Sequence, residues 1–589
     1  MAEAYVQPLS EKGKEESEAW KPAQRVAETF LDSRTHSKQF ELPPKVLYTQ
    51  QYASIYYCRI RQLRPVLEKR VKKVLASEGK QLPVWLRTVD AEPDTEGILF
   101  GTLYKEMVHK PCVLDEYDRD ALDAAHAELA QRRNLVDPED TLALEDEQGR
   151  VALIPAPTCR VYITSEEWDS SEDSATKLPA SSQYVHVADL VSGVVVAVQG
   201  KENELGEFVA TRMFLPEPPE PRVPASMPTT LPVLKTNAPA IANGLRPGAR
   251  YIAFISDLSL GNPNLSKPLT LDSLASVIAN PSDFVPRLIL ARAGESTEMK
   301  VTTGLPDVTE GGASMSPHSA LDLCMDYLLG LAGSPEDISS VASRIERVVI
   351  AGNSLYQPPM DVITDVVDTV RAQKQAEHER KRIIEESSRQ LDLLLAQLSS
   401  AMSVSLLAGA RDPSRHNWPQ PPIHRCVVPR ASTFSTFESL TNPTIFTSSG
   451  LTLTGTDGLN IKDICRLSTL SPLDALECTL RWRHIVPTAP DTVGCYPYDK
   501  LDPFVLQERP QIYFAGDQPT FAARRVGPPE AKSIHEQTLL LSIPSFSKTA
   551  TIVLVDTETL QAIPVSFGLT VGDTSDPSGG PAGEKRSRE

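Results

Sequence analysis

The chain has 589 residues, a formal net charge of −18 at pH 7, and 41% hydrophobic against 23% charged residues. That length exceeds one ordinary core and implies two or three domains. The acidic balance argues against a protein that clamps DNA over a long footprint, which needs a basic stripe. No run approaches the roughly 18 apolar residues that suggest a membrane span. The 8 cysteines stand singly, with no Cys-x-x-Cys pair, which removes a local zinc knuckle or iron–sulfur motif. Scattered thiols without an apolar leader are expected in a reduced, intracellular setting.

Residues 1–43 are polar and charge-rich and read as a tail. In "QQYASIYYCRIRQLRPVLEKRVKKVL", Tyr52, Ile55, Tyr56, Ile60, Leu63 and Leu67 fall near one helical face. Arg and Lys take the other, which predicts an amphipathic helix with a solvated basic face. Short β-like runs follow at 97–108, at 141–154 with a turn at Gln148-Gly149, and as two strands within 190–216. Glycine-punctuated strands so closely spaced suit a small closed barrel of the OB type. Its aromatics Phe100, Tyr104 and Phe208 are sparse and equally suited to a core, so protein docking is preferred over single-strand binding. The stretch 166–182 ("EEWDSSEDSATKLPASS") reads as a surface insertion in a first domain spanning 44–220.

Residues 221–248 are too proline-rich for a helix or inner strand and are expected to cross between domains. Beyond them, apolar runs end in glycine turns at 250–261, 345–355 and 511–521, and again in "LLAGARDPSRHNWPQPPIH" (406–424). Two helices are predicted between the second and the last of these. One repeats Val362, Ile363, Val366, Val367 and Val370; the other packs Ile384, Leu391, Leu394, Leu395 and Leu398 on one side. Alternating strands and helices predict a layered α/β domain over 249–570, with an insertion at 294–319 and a tail at 571–589. Any chemistry is expected at the C-terminal strand ends.

A two-metal phosphoesterase needs carboxylates, histidines and an asparagine converging from several such ends, around ions about 3.5–4 Å apart. Here "ISDLSLG" offers Asp257 but puts Ser259 where a histidine is needed. "IAGNSL" offers Gly352, then Asn353 in place of a bridging aspartate. "LAGARDP" sets Ala410 and Arg411 where an asparagine and a histidine belong, and "FAGDQPTF" has no histidine. Serine and alanine cannot replace an imidazole ligand, and a fixed cation opposes divalent ions. Asp257 and Asp412 are instead expected to pair with Arg411, and His416, His424 and His484 read as packed or hydrogen-bonding residues. No catalytic residue, metal or cofactor is expected. The alternatives are a divergent, active metal-dependent phosphoesterase or nuclease, and a single-strand-binding OB module.

The most specific segment is "LRWRHIVPTAPDTVGCYPYDKLDPFVL" (480–506), with Arg483, His484, Pro487, Thr488, Pro490, Asp491, Cys495, Tyr496 and Pro497 as its signature. Together with 46–70, 144–153, 190–200, 412–429 and 512–521, it resembles the B-family accessory subunits of eukaryotic replicative DNA polymerases. Segments 480–500 and 46–70 resemble the delta-type branch most. The resemblance implies an OB-fold β-barrel packed on an inactive calcineurin-like metallophosphoesterase sandwich. It implies a nuclear scaffold for replication and repair synthesis. One surface would grip the Cys-rich C-terminal module of the catalytic subunit, and another the third accessory subunit. DNA would be reached only through the holoenzyme and its sliding clamp, and no membrane is involved.

Overall fold

The computed structural model describes residues 37–42, 49–80, 84–93, 95–110, 134–162, 185–221, 249–262, 288–290, 317–331, 339–357, 370–527 and 536–567. Helix α1 (Ala53–Ser77) buries Ile55, Ile60, Leu63 and Leu67, as its apolar stripe predicts, while Tyr52 stays exposed. The opposite face is not wholly solvated, because Arg59 and Arg70 are buried too.

Strands β1 (Val84–Leu86), β2 (Gly97–Glu106), β3 (Thr141–Glu145), β4 (Arg150–Tyr162), β5 (Val195–Glu202) and β6 (Phe208–Phe214) form one sheet. Its order is β1-β2-β3-β4-β6-β5, and β5 pairs back onto β2, so β2 to β6 close into a five-stranded barrel. The β3–β4 turn falls at Gln148-Gly149, whose backbone N–H groups both donate to the Asp146 carboxylate. Phe208 is in the barrel core, and Phe100 packs outward under α1 with Trp85 stacked on it at 4.7 Å. Tyr104 is half-buried, with the Arg150 guanidinium 4.1 Å from its ring centroid.

Strands β7 (Tyr251–Ile255), β8 (Leu288–Leu290), β9 (Ile345–Ala351), β10 (Ser403–Leu407) and β11 (Phe437–Leu440) belong to a second sheet. A third contains β12 (Thr444–Ser448), β13 (Leu451–Thr456), β14 (Ile512–Gln518), β15 (Ala522–Val526) and β16 (Thr538–Pro544); β17 (Thr551–Asp556) and β18 (Ala562–Phe567) return to the second. The orders are β11-β10-β9-β7-β17-β18-β8 and β12-β13-β14-β16-β15. Strands β7, β9, β10 and β11 run parallel, as do β13, β14 and β16. The two sheets pack face to face: Ile252, Phe254 and Leu407 meet Leu453, Phe514 and Leu541. Alternate residues of the larger sheet, among them Ala253, Val348 and Ile350, lie under α2 (Pro317–Leu329) and α3 (Val370–Ala401). With both faces covered, the strands read as unbroken apolar runs.

The outer face of the smaller sheet is covered by α4 (Leu459–Leu467) and α5 (Pro472–Arg481), the latter capped by Ser471. This layer shares one hydrophobic core with the barrel, through Ile464, Leu480, Trp482 and Val486 on one side and Leu103, Val196 and Val198 on the other. The core also takes in Phe40. Ser37–Phe40, read from sequence as part of a tail, form a 3-10 turn that places the Phe40 ring 6.5 Å from that of Phe504. A lone aromatic in polar text carries no periodicity, so the sequence pattern could not place it. The helix predicted at Val362–Val370 lies outside the described residues except for Val370, where α3 begins. Residues 166–182 and 222–248 lie outside them as well, as do 294–316 and the terminal 571–589. Among the described residues no helix is long and apolar enough to cross a membrane.

Candidate functional site at the strand ends and the barrel seam

Each predicted glycine turn leaves a central strand at its C-terminal end, so the topology brings them together. After β7 come Asp257 and Ser259, after β9 Gly352 and Asn353, and after β10 Ala410, Arg411 and Asp412. Asp517, near the end of β14, joins them from the other sheet of the sandwich. Asp257, Ser259, Asn353 and Asp517 all adopt positive φ, at 56°, 46°, 58° and 47°. Four non-glycine residues in this costly region at one place mark a locally strained site held by its surroundings. The turns are also tightly apposed: a Cβ on Gly409 would lie 2.3 Å from the Asn353 backbone nitrogen.

The side chains form a closed network around two cations. Arg411 donates to Asp257 at 2.5 Å and to the Ser259 hydroxyl at 2.9 Å, and reaches Asp517 at 3.5 Å. Lys462, from α4, holds Asp517 at 2.5 Å. Asn353 donates to Asp517 at 3.0 Å and accepts from the Arg411 backbone N–H at 3.1 Å. The other Asp257 oxygen accepts from Ser545 at 2.5 Å and Ser547 at 2.9 Å. Burial alone would raise the Asp257 pKa, but Arg411 and the hydroxyls of Ser259, Ser545 and Ser547 outweigh it and hold the carboxyl below its usual range. Burial raises Asp517 despite Lys462 and Arg411.

Asp412 does not pair with Arg411 as expected. It points into the protein, accepting from the backbone N–H groups of Leu355 at 3.0 Å and Gly409 at 2.9 Å. Complete burial pushes it up to about 7 against those hydrogen bonds. Asp457, at the end of β13, has the same character. It accepts from the Ala410 and Leu459 N–H groups, and burial raises it. No histidine among the described residues reaches this site. His416 and His424 are exposed. Among the described residues no group of three or more His, Cys, Asp or Glu is placed to hold a metal ion.

The signature segment occupies a different place, the seam between barrel and sandwich. Arg59 of α1 is fully buried there and donates to Asp502 at 2.8 Å. It also donates to the carbonyls of Gly193, Pro487 and Ala489 at 2.9, 2.8 and 2.9 Å. His484 shares Asp502 at 2.9 Å. Burial and the charge of Arg59 lower His484 to about 4, so it is neutral at pH 7. Burial works to raise Asp502, but His484 and Arg59 overcome it and hold the carboxyl far below its usual range. Gly193 is required at this contact: its φ is +92° and a Cβ would lie 1.9 Å from the Pro487 oxygen.

The rest of the signature braces the same loop. Thr488 and Thr492 both donate to Asp463, and Asp491 pairs with Lys110 of the barrel at 2.5 Å. Arg483, at φ +58°, donates to the Leu506 carbonyl. Tyr496 N–H donates to the Trp418 carbonyl, which ties Cys495-Tyr496-Pro497 to the segment behind the Arg411 turn. A second buried cation, Lys105 of β2, crosses the seam to the Leu467 carbonyl at 3.0 Å, with Asp140 3.6 Å away.

Sequence reasoning missed Arg59, Asp502, Lys462, Asp457 and Asp517. Arg59 sits among the other basic residues of α1, and only its register two turns before Leu67, close to the apolar stripe, hinted at burial.

A closed barrel fused through one core to a two-sheet sandwich, with ion pairs filling the strand ends, coincides with two families of polymerase subunits. The DNA polymerase delta subunit OB-fold domain family matches residues 51–213, and the B-subunit family of DNA polymerases alpha and epsilon matches residues 315–523. Over these residues the chain is similar to subunits of replicative DNA polymerases. Over most of its length it is similar to the small subunits of DNA polymerase delta. It is 29% identical to the small subunit from Arabidopsis thaliana, covering 92% of this chain and 97% of the relative. Identity to DNA polymerase delta subunit 2 of Drosophila melanogaster is 28%, over 89% and 94% of the two chains. For the small subunit of Saccharomyces cerevisiae it is 25%, over 89% and 90%.

Proposed function

We propose that the chain is a non-catalytic scaffold subunit of nuclear DNA polymerase delta, and that its strand-end pocket is a degenerate phosphoesterase site in a calcineurin-like sandwich. The observation that carries this reading is the Arg411 guanidinium, held at 2.5 Å from Asp257 where its charge opposes any divalent ion. Lys462 does the same to Asp517. Arg411 cannot move into solvent without leaving the buried Asp257 carboxylate with no cation, which is costly. Asp257, Ser259, Gly352, Asn353, Ala410, Arg411 and Asp412 then serve the fold, not a reaction.

The scaffold reading rests on similarity over most of the chain to polymerase delta small subunits, together with a barrel locked to its sandwich at the seam. In this reading the rigid body joins the Cys-rich C-terminal module of the catalytic subunit to a third accessory subunit, and meets DNA only through the holoenzyme and clamp. Obligate interfaces of this kind bury about 2,000 Å² or more. Affinity capture of the tagged chain from nuclear extract, followed by mass spectrometry, is expected to recover a large B-family polymerase and a third subunit. Recovery of neither contradicts the proposal.

A further inference from the structure

A depression of about 500 Å³ opens on the barrel exterior, lined by Glu78, Lys80, Thr158, Arg160, Thr211 and Arg212. It shares no residue with the strand-end pocket or the seam. Arg160 of β4 and Arg212 of β6 are direct partners in the parallel pairing of those strands. Like charges set opposite each other in a sheet are destabilising. Glu78, the one carboxylate among the described lining residues, holds Lys80 at 2.7 Å and Arg212 at 3.0 Å. Arg160 is exposed and makes no ion pair among the described residues. Among the described residues of the lining, three cations and one carboxylate leave an excess of positive charge, on a chain whose net charge is −18.

The surroundings favour an anion of a particular kind. The C-terminal carbonyls of α1 are satisfied within the chain, since Val74, Ala76 and Leu75 accept from the backbone N–H groups of Glu78, Gly79 and Lys80. The Thr211 hydroxyl is committed to the Gln199 carbonyl at 3.1 Å, whereas Thr158 is exposed. Among the described residues no aromatic ring lines the depression, so none of them offers a nucleobase an aromatic platform. Arginine forks recognise phosphate oxygens in pairs, and lysine adds a point charge.

We infer that this depression binds a dianionic phosphate group, a monoester or a diphosphate. Arg160 and Lys80 make the direct contacts, and Glu78 positions Lys80 and Arg212. A dianion offsets the Arg160–Arg212 repulsion, whereas a phosphodiester, with one charge per phosphate, does so only partly.

The test is calorimetric titration of the full-length chain with inorganic pyrophosphate at low ionic strength. The expected result is saturable one-to-one binding, weakened at least about tenfold by Arg160→Ala and by Lys80→Ala. Arg150→Ala, on another part of the barrel, is expected to leave it unchanged. Both test residues are exposed, so the variants should melt like the parent chain. A free nucleoside diphosphate and a singly phosphorylated serine peptide are then compared, and Arg160-dependent binding of either assigns the source. Absence of saturable pyrophosphate binding, or binding by both variants as tight as by the parent chain, overturns the inference. So does tighter Arg160-dependent binding of oligothymidylate than of pyrophosphate.

Discussion

Replacing Arg59 with methionine removes the cation at the centre of the seam while keeping much of the side-chain volume. The Asp502 carboxylate, fully buried, then keeps only His484 as a side-chain partner, and the carbonyls of Gly193, Pro487 and Ala489 lose their donor. Breaking a buried ion pair by removing one member costs about 3–5 kcal/mol. The expected loss at pH 8 is of that size, read by urea denaturation with tryptophan fluorescence, to which Trp418 and Trp482 beside the seam contribute. The loss should depend on pH. In the parent chain His484 is depressed from 6.5 to about 4, so its unfolded state takes up the proton first and stability falls as pH drops from about 6.5 towards 4. Without Arg59, Asp502 raises the His484 pKa, and the histidinium that forms pairs with the orphaned carboxylate. The difference between parent and variant should therefore shrink at pH 6. A loss below about 1 kcal/mol at pH 8, or one that widens at pH 6, would refute this reasoning.

Other substitutions test the seam, the joint core and the pocket. Gly193→Ala combines a left-handed backbone with a Cβ 1.9 Å from the Pro487 oxygen. It is expected to cost about 2 kcal/mol or more, measured in the same denaturation assay. Phe40→Ala removes a buried ring from the joint core and should cost about 3 kcal/mol, with faster proteolytic cleavage near residue 40. Asp412, raised to about 7, takes up a proton on folding, so its contribution is full below about 4 and is lost as pH rises to 7. Asp412→Asn should therefore be most destabilising near pH 4 and least at pH 8. In manganese-containing buffer the chain is expected to leave bis-(p-nitrophenyl) phosphate intact. Hydrolysis abolished by Asp257→Ala would reverse the reading of the pocket.

The barrel was legible because its short strand-like runs are closely spaced and punctuated by glycine, and the Gln148-Gly149 hairpin falls where the sequence puts it. The strand-end turns were legible for a similar reason, since each apolar run stops at a glycine. What could not be read was partnership. Asp412 was expected beside Arg411 because the two are adjacent in sequence, yet it points to the backbone of Leu355, and Arg411 reaches Asp257 and Asp517 instead. Lys462 sits at the start of a helix, and Asp517 lies in a stretch notable for lacking histidine. Neither has a local pattern that announces a buried pair. Arg59 and Asp502 are separated by 443 positions, and an arginine in a basic amphipathic helix reads as solvated until the fold closes over it.

We propose that this chain works by holding a polymerase together. The most direct test is co-expression with the C-terminal Cys-rich module of a polymerase delta catalytic subunit, followed by size-exclusion chromatography with light scattering. The expected result is a single peak with the mass of a one-to-one complex that survives dilution to nanomolar concentration. Two separate peaks, with the chain folded and monodisperse in its own, would contradict the claim.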